Sequence, residues 1–149
     1  MKNVEKLYDE AASRYDNMYD SEQNKNIVQA ENKFLQEMLP IDDYETVLDC
    51  GAGTGLFLDL FSVSTDGYVG FDISGNMIDE AKKKHPDFNL FKKNFLDYQD
   101  TNKYDLVTSL FSITDYCGND GFYKLLSFVK PKGFLYATFM NKNGGYDAT

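Results

Sequence analysis

Two aspartates and a tight run of glycines carry the chemistry legible in this chain. Gly51-Ala52-Gly53-Thr54-Gly55 follows a short apolar run. Glycine there lets backbone N–H groups come close to a ligand, because no Cβ stands in the way. A dinucleotide-binding loop spaces its glycines as G-x-G-x-x-G, but Leu56 stands where the third would fall. Asp49, two residues before Gly51, sets a carboxylate where a pyrophosphate would be repelled and a cationic ligand attracted. Asp72 closes the run Tyr68-Val69-Gly70-Phe71-Asp72, a position from which an acid accepts both hydroxyls of a ribose. Singly, the loop is a strand-to-helix turn and Asp72 a solvated strand-end acid. Together the three suit a positively charged nucleoside.

Such residues need a frame, and alternating apolar patterns supply one. Residues 46–50, 68–72, 89–92, 104–110 and 134–139 read as strands. Residues 74–84 and 121–129 read as helices, and Leu56, Phe57, Leu60 and Phe61 return at helical spacing after the glycines. Pro131-Lys132-Gly133 supplies the turn into the fifth strand. This alternation builds βαβ units with right-handed crossovers. The expected fold class is α/β: a doubly wound, mostly parallel Rossmann-like sheet with helices on both faces. Its ligand crevice lies at the carboxyl ends of the strands. The apolar runs are continuous, so both faces are expected to be buried.

Ahead of the sheet, residues 7–19 read as a weakly amphipathic helix with Tyr8, Tyr15 and Tyr19 among acids. Ser21 caps a second helix whose buried stripe is Ile27, Ala30, Phe34, Leu35, Met38 and Leu39, and Pro40 ends it. The expectation is one domain over residues 1–149. A helical lid and first helix fill 1–45, the Rossmann-like core 46–139 and a polar tail 140–149. The fifth strand is then an exposed edge, open to homo-oligomer contacts.

Charge and cysteine usage exclude several classes. With 15 basic and 24 acidic side chains the formal net charge is -9, which disfavours nucleic acid and anionic membranes as partners. No apolar run approaches the ~20 residues of a membrane span, and the polar start does not read as a signal peptide. Cys50 and Cys117 lack C-x-x-C spacing and read as free thiols of a cytoplasmic protein, a disulfide between them being the lesser reading. With one histidine, no metal site is expected. His85 follows Lys82-Lys83-Lys84 and reads as a cation at a helix end on the rim opposite the site.

Five ordered motifs resemble the class I S-adenosylmethionine-dependent methyltransferases. They are Val47-Leu48-Asp49-Cys50-Gly51-Ala52-Gly53-Thr54-Gly55, Val69-Gly70-Phe71-Asp72-Ile73-Ser74, the helix start Ser74 to Ala81, Lys103-Tyr104-Asp105-Leu106-Val107 and Val129-Lys130-Pro131-Lys132-Gly133-Phe134-Leu135. The resemblance runs from about Tyr8 to Phe139 and implies S-adenosyl-L-methionine as cofactor, with S-adenosyl-L-homocysteine as product. It also implies direct methyl transfer from the sulfonium to a small-molecule acceptor at nitrogen, as in amino-sugar and amine N-methyltransferases. Position by position, Asp49 and the backbone of Gly51, Ala52 and Gly53 would face the amino-acid end, and Asp72 the ribose. Ile73 and Met77 would flank the adenine. Asn94, followed by Phe95, stands where the family places an acid for the adenine amino group, with Asp97 the alternative in a shifted register.

Two regions would meet the acceptor. Tyr15 and Tyr19 of the lid would touch the cofactor or crowd the acceptor, or pack on the rim. After the fourth strand, Leu110 would border the cofactor, while Asp115 or Tyr116 would bind an amine or sit in a solvated loop. The reaction needs no dedicated base, so no catalytic residue is assigned, and Tyr15 and Tyr116 are the candidates. Ser109-Leu110-Phe111-Ser112 is not the Asn/Asp-Pro-Pro-aromatic run of DNA amino-methyltransferases, and Cys117-Gly118 is not the Pro-Cys of cytosine C5 enzymes. The family's strands beyond the fifth have no counterpart here. The alternative is therefore a non-catalytic or truncated S-adenosylmethionine-binding module needing a partner or a further segment. A nicotinamide-dependent oxidoreductase is disfavoured by Leu56.

Overall fold

The computed structural model describes residues 2–19, 22–39 and 44–139. Five strands form one sheet: β1 (Val47–Cys50), β2 (Tyr68–Asp72), β3 (Asn89–Lys92), β4 (Tyr104–Ser109) and β5 (Val129–Ala137). Their order is β3-β2-β1-β4-β5, and every pairing is parallel. Helices α1 (Lys2–Tyr15), α2 (Glu22–Met38), α3 (Leu56–Leu60), α4 (Gly75–Lys84) and α5 (Ile113–Ser127) complete the described chain, with a 3-10 turn over Asp16–Tyr19.

Successive residues of β1 point to opposite faces and are all buried, as a strand covered on both sides requires. Val47 joins Leu35, Leu39, Phe57, Tyr68, Ile78 and Leu106 on one face. Leu48 and Cys50 join Phe71, Phe95, Tyr98, Val107 and Leu125 on the other. The crossover direction reverses between β1 and β4, which opens a crevice at the carboxyl ends of the strands. The α/β class and the positions of the first four strands match the sequence reading, while β5 begins at Val129, five residues ahead of the expected 134.

Three expectations need correction. In α2 only Leu35 and Leu39 of the expected stripe are buried, while Ile27, Phe34 and Met38 are 49%, 59% and 57% exposed. The helix meets the core near its C-terminal end, where Tyr136 donates to the Leu35 carbonyl at 2.7 Å and Gln36 to the Leu60 carbonyl at 2.9 Å. Helix α5 starts at Ile113 rather than near residue 121, so the expected loop after β4 is helical. Gly118, at φ 54 and ψ -144, kinks it and interrupts its local pattern. Pro131-Lys132-Gly133 is an irregularity inside β5 rather than a turn before it. Lys132 takes φ 68, and the β4–β5 register shifts between Tyr104 and Leu106. Proline, lacking an N–H, is tolerated there because β5 is the edge strand of the described sheet. Ser21, Pro40 and the tail from residue 140 lie outside the described residues.

Candidate functional site

The glycine loop is held by β2. Gly51 and Ala52 donate their N–H groups to the Phe71 carbonyl at 2.8 and 2.9 Å, and Gly53 donates to Asp72 Oδ2 at 3.0 Å. Asp72 Oδ1 accepts the Ser74 N–H at 2.8 Å. Gly53 takes φ +55, and a Cβ there would meet no atom within 4 Å, so its bare backbone borders open space. Gly55 has a packing reason instead: its Cβ would lie 2.9 Å from His85 Cδ2.

Asp49 lies beneath the loop and is 2% exposed. Tyr68 donates to its Oδ2 at 2.8 Å and Thr108 to its Oδ1 at 2.7 Å. Burial pushes this carboxyl up to about 6, against the two hydroxyls that favour its charged form. Burial likewise raises Asp72, opposed by the N–H groups of Ser74 and Gly53. Asp49 is thus a buried carboxylate braced by two hydroxyls in the pocket wall.

A single pocket gathers most of the expected residues. Asp49, Gly51, Ala52, Gly53, Asp72, Ile73, Met77, Asn94, Phe95 and Leu110 line it, together with Tyr15 and Tyr116. Met77 is fully buried at the start of α4, where Ser74 Oγ accepts its N–H at 3.1 Å. Asn94 reaches the pocket but also caps the 3-10 turn Phe95–Asp97, its Oδ1 accepting the Leu96 N–H at 3.0 Å. Asp97 is exposed and does not line the pocket, which removes the shifted register. Asp115 does not line it either. Tyr19 closes its 3-10 turn, and its side chain lies outside the described residues. His85 sits outside the pocket behind Gly55, its Nε2 2.8 Å from Asp59 Oδ1.

A sequence model described as a methyltransferase domain matches residues 47–133, more than half of the chain. The chain belongs to the methyltransferase domain family. This methyltransferase domain is 31% identical over 71 residues to the dTDP-3-amino-3,4,6-trideoxy-alpha-D-glucopyranose N,N-dimethyltransferase of Streptomyces venezuelae, covering 48% of this chain and 30% of that protein. It resembles the crystal structure of Streptomyces venezuelae DesVI with TM-score 0.61 and 22% identity, over 74% of this chain and 50% of that one. It resembles Haemonchus contortus phosphoethanolamine N-methyltransferase 1, in complex with phosphoethanolamine and S-adenosylhomocysteine, with TM-score 0.73 and 15% identity. That match covers 91% of this chain and 31% of that one. The domain thus spans 30%, 50% and 31% of the lengths of these three relatives.

Among the side chains of the methyltransferase domain's pocket that sequence reasoning missed are Tyr8, Phe111, Ser112 and Cys117. Tyr8 had a usable signal, since it precedes Tyr15 by seven residues, two turns along one helix face. Its hydroxyl lies 2.6 Å from that of Tyr116, and its ring centroid 6.1 Å from that of Tyr15. Burial and the Tyr116 hydrogen bond push Tyr8 far above the ordinary tyrosine value, so it is a neutral hydroxyl at physiological pH. Helix α1 reaches this position through polar docking. Ser74 Oγ donates to Asp9 at 2.5 Å, Lys92 pairs with Glu5 at 2.5 Å, and Thr54 donates to Asp16 at 2.6 Å. Asp9 also accepts the Asn76 N–H at 3.2 Å, placing a carboxylate at the positive end of α4.

Proposed function

We propose that the protein is an S-adenosyl-L-methionine-dependent methyltransferase acting on nitrogen of a small-molecule acceptor. The observation that carries this reading is one pocket wall made of the bare Gly53 backbone beside the anchored Asp72 carboxylate. A substituent on Gly53 would occupy the space a nucleoside needs. Asp72 is anchored by the N–H groups of Gly53 and Ser74 and, as a carboxylate with about four acceptor sites, has capacity left for ribose hydroxyls. When bound, the cofactor supplies a methyl group already activated on a sulfonium, so the chain's task is alignment and exclusion of water.

In this reading Asp72 holds the ribose, while Ile73, Met77, Asn94 and Phe95 enclose the adenine. Gly51, Ala52 and Leu110 border the amino-acid end, and Asp49 supplies negative charge beneath it. Tyr15 and Tyr116 face the acceptor, and Tyr19 keeps its assignment to the cofactor or acceptor from the sequence alone. Tyr8, being protonated, donates or accepts hydrogen bonds but takes no proton, so the acceptor amine enters uncharged with its lone pair free. Nitrogen as the acceptor atom is supported by two relatives, an amino-sugar N,N-dimethyltransferase and a phosphoethanolamine N-methyltransferase. One domain over residues 1–149, a cytoplasmic location consistent with the free thiols Cys50 and Cys117, and self-association through the β5 edge belong to the same reading.

The direct test is transfer of labelled methyl from S-adenosylmethionine to a panel of amino sugars and small amines, alongside thermal stabilisation by S-adenosylhomocysteine but not by NAD. A second reading is a binding module that needs a partner or further segment. Stabilisation by S-adenosylhomocysteine without methyl transfer to any amine would select it.

A further inference from the structure

We propose that Ser112 positions the cofactor, its hydroxyl binding the α-amino-acid end of S-adenosylmethionine. This rests on the cofactor reading above and adds a residue to it. Ser112 holds the N-cap position of α5, yet its side chain makes no capping bond. Ser109 Oγ accepts the Ile113 N–H at 3.1 Å instead. The Ser112 hydroxyl is turned onto the glycine loop: a Cβ on Gly51 would lie 1.8 Å from Ser112 Oγ. Glycine at 51 therefore leaves this hydroxyl its place in the pocket wall.

The turn that presents Ser112 is strained and braced. Phe111 takes φ 51, a left-handed conformation that a non-glycine residue keeps only where its surroundings hold it. Its N–H donates to Thr138 Oγ1 at 2.6 Å, and the Thr138 N–H donates to the Ser109 carbonyl at 3.1 Å. The Thr114 hydroxyl donates to the Thr138 carbonyl. The end of β5 thus locks the turn after β4.

Strand order then says which part of the cofactor meets Ser112. Asn94 follows β3, Asp72 ends β2, the glycine loop follows β1 and Ser112 follows β4, in the spatial order β3-β2-β1-β4. A nucleoside with its ribose on Asp72 and its base toward Asn94 has its remaining chain on the β1–β4 side, where Gly51 and Ser112 meet. That chain carries an ammonium and a carboxylate. A hydroxyl accepts from the first or donates to the second, and bonds to ionised groups are the strong ones.

The test is calorimetry with S-adenosylhomocysteine and with 5′-methylthioadenosine, which lacks the amino-acid end. In Ser112→Ala the first should bind about tenfold more weakly or worse, the second unchanged. Ser112→Cys, which keeps the side-chain size, should show the same selective loss. Ser109→Ala, which loosens the start of α5, should change both ligands by one factor. Unchanged S-adenosylhomocysteine affinity in Ser112→Ala, or equal loss of both ligands, overturns the role. Failure of the wild-type protein to bind either ligand overturns the cofactor reading itself, and this role with it.

Discussion

Tyr8 on α1 and Tyr116 on α5 meet hydroxyl to hydroxyl at 2.6 Å, with their rings edge to face at 88°. The pair joins the N-terminal helix to the segment after β4 across the mouth of the pocket. Neither residue touches the other through local sequence: 108 positions separate them. The contact adds a hydroxyl–hydroxyl bond with α5 to the polar contacts by which α1 docks on the sheet.

Loss of that fastening should speed ligand release. Tyr8→Phe is expected to raise the dissociation rate of S-adenosylhomocysteine about threefold to tenfold, the worth of one neutral hydrogen bond. Tyr116→Phe should do the same, and the double variant no more, because both singles remove one shared bond. Stopped-flow displacement reads all three; additive effects would mean the two hydroxyls act separately.

Asp72 should be the side chain on which binding depends most. Asp72→Ala removes the acceptor for the ribose hydroxyls and the two N–H bonds that shape the loop. The expected cost in cofactor affinity is about 1.5–3 kcal/mol. Calorimetry giving an unchanged dissociation constant would count decisively against this pocket.

Gly53 separates stability from binding. At φ +55 a side chain is strained but meets no atom within 4 Å, so Gly53→Ala should fold with a loss of about 1–2 kcal/mol. The same methyl group intrudes on the nucleoside, and S-adenosylhomocysteine should no longer raise the melting temperature. Gly53→Val combines the same obstruction with a larger backbone penalty. Retained ligand stabilisation in the alanine variant would place the cofactor elsewhere.

Asp49 gives the molecule a pH signature. Its folded pKa of about 6 lies above the ordinary 3.8, so between those values the native state holds a proton that the unfolded chain releases. Its contribution is therefore fully present below about pH 4 and lost as pH rises toward 6, by about 3 kcal/mol. Asp49→Asn should flatten that decline and raise the melting temperature at pH 7. It should also weaken S-adenosylmethionine more than S-adenosylhomocysteine, since only the former carries the positive sulfur that the carboxylate attracts. Melts at pH 4 and 7 check the first claim, and paired calorimetry the second. A variant retaining the full pH-dependent decline would assign it to other carboxylates.

Strand and loop chemistry was legible in the chain because it is local. The run from Val47 to Cys50 is apolar whatever it packs against, Gly51, Gly53 and Gly55 announce a turn of positive φ, and Asp72 ends its strand by position alone. From these the α/β class and most of the pocket wall follow. The stripe on α2 failed because helical spacing shows that residues share a face, not how much of that face meets the core. Phe34 and Leu35 are equally apolar, and only the second is covered. The start of α5 was hidden by Gly118, and β5 by a proline that only an edge strand tolerates.

Pairing across the sheet decided everything else. The Tyr8–Tyr116 bond joins residues 108 positions apart, the hydroxyls of Thr108 and Tyr68 reach Asp49 across 59 and 19, and Ser112 meets Gly51 from the far side of the sheet's central crossover. Periodicity describes each segment against a notional core, whereas a hydrogen bond at the pocket mouth depends on where two such segments end in space. That placement follows from the strand order β3-β2-β1-β4-β5 and from the docking of α1 over it.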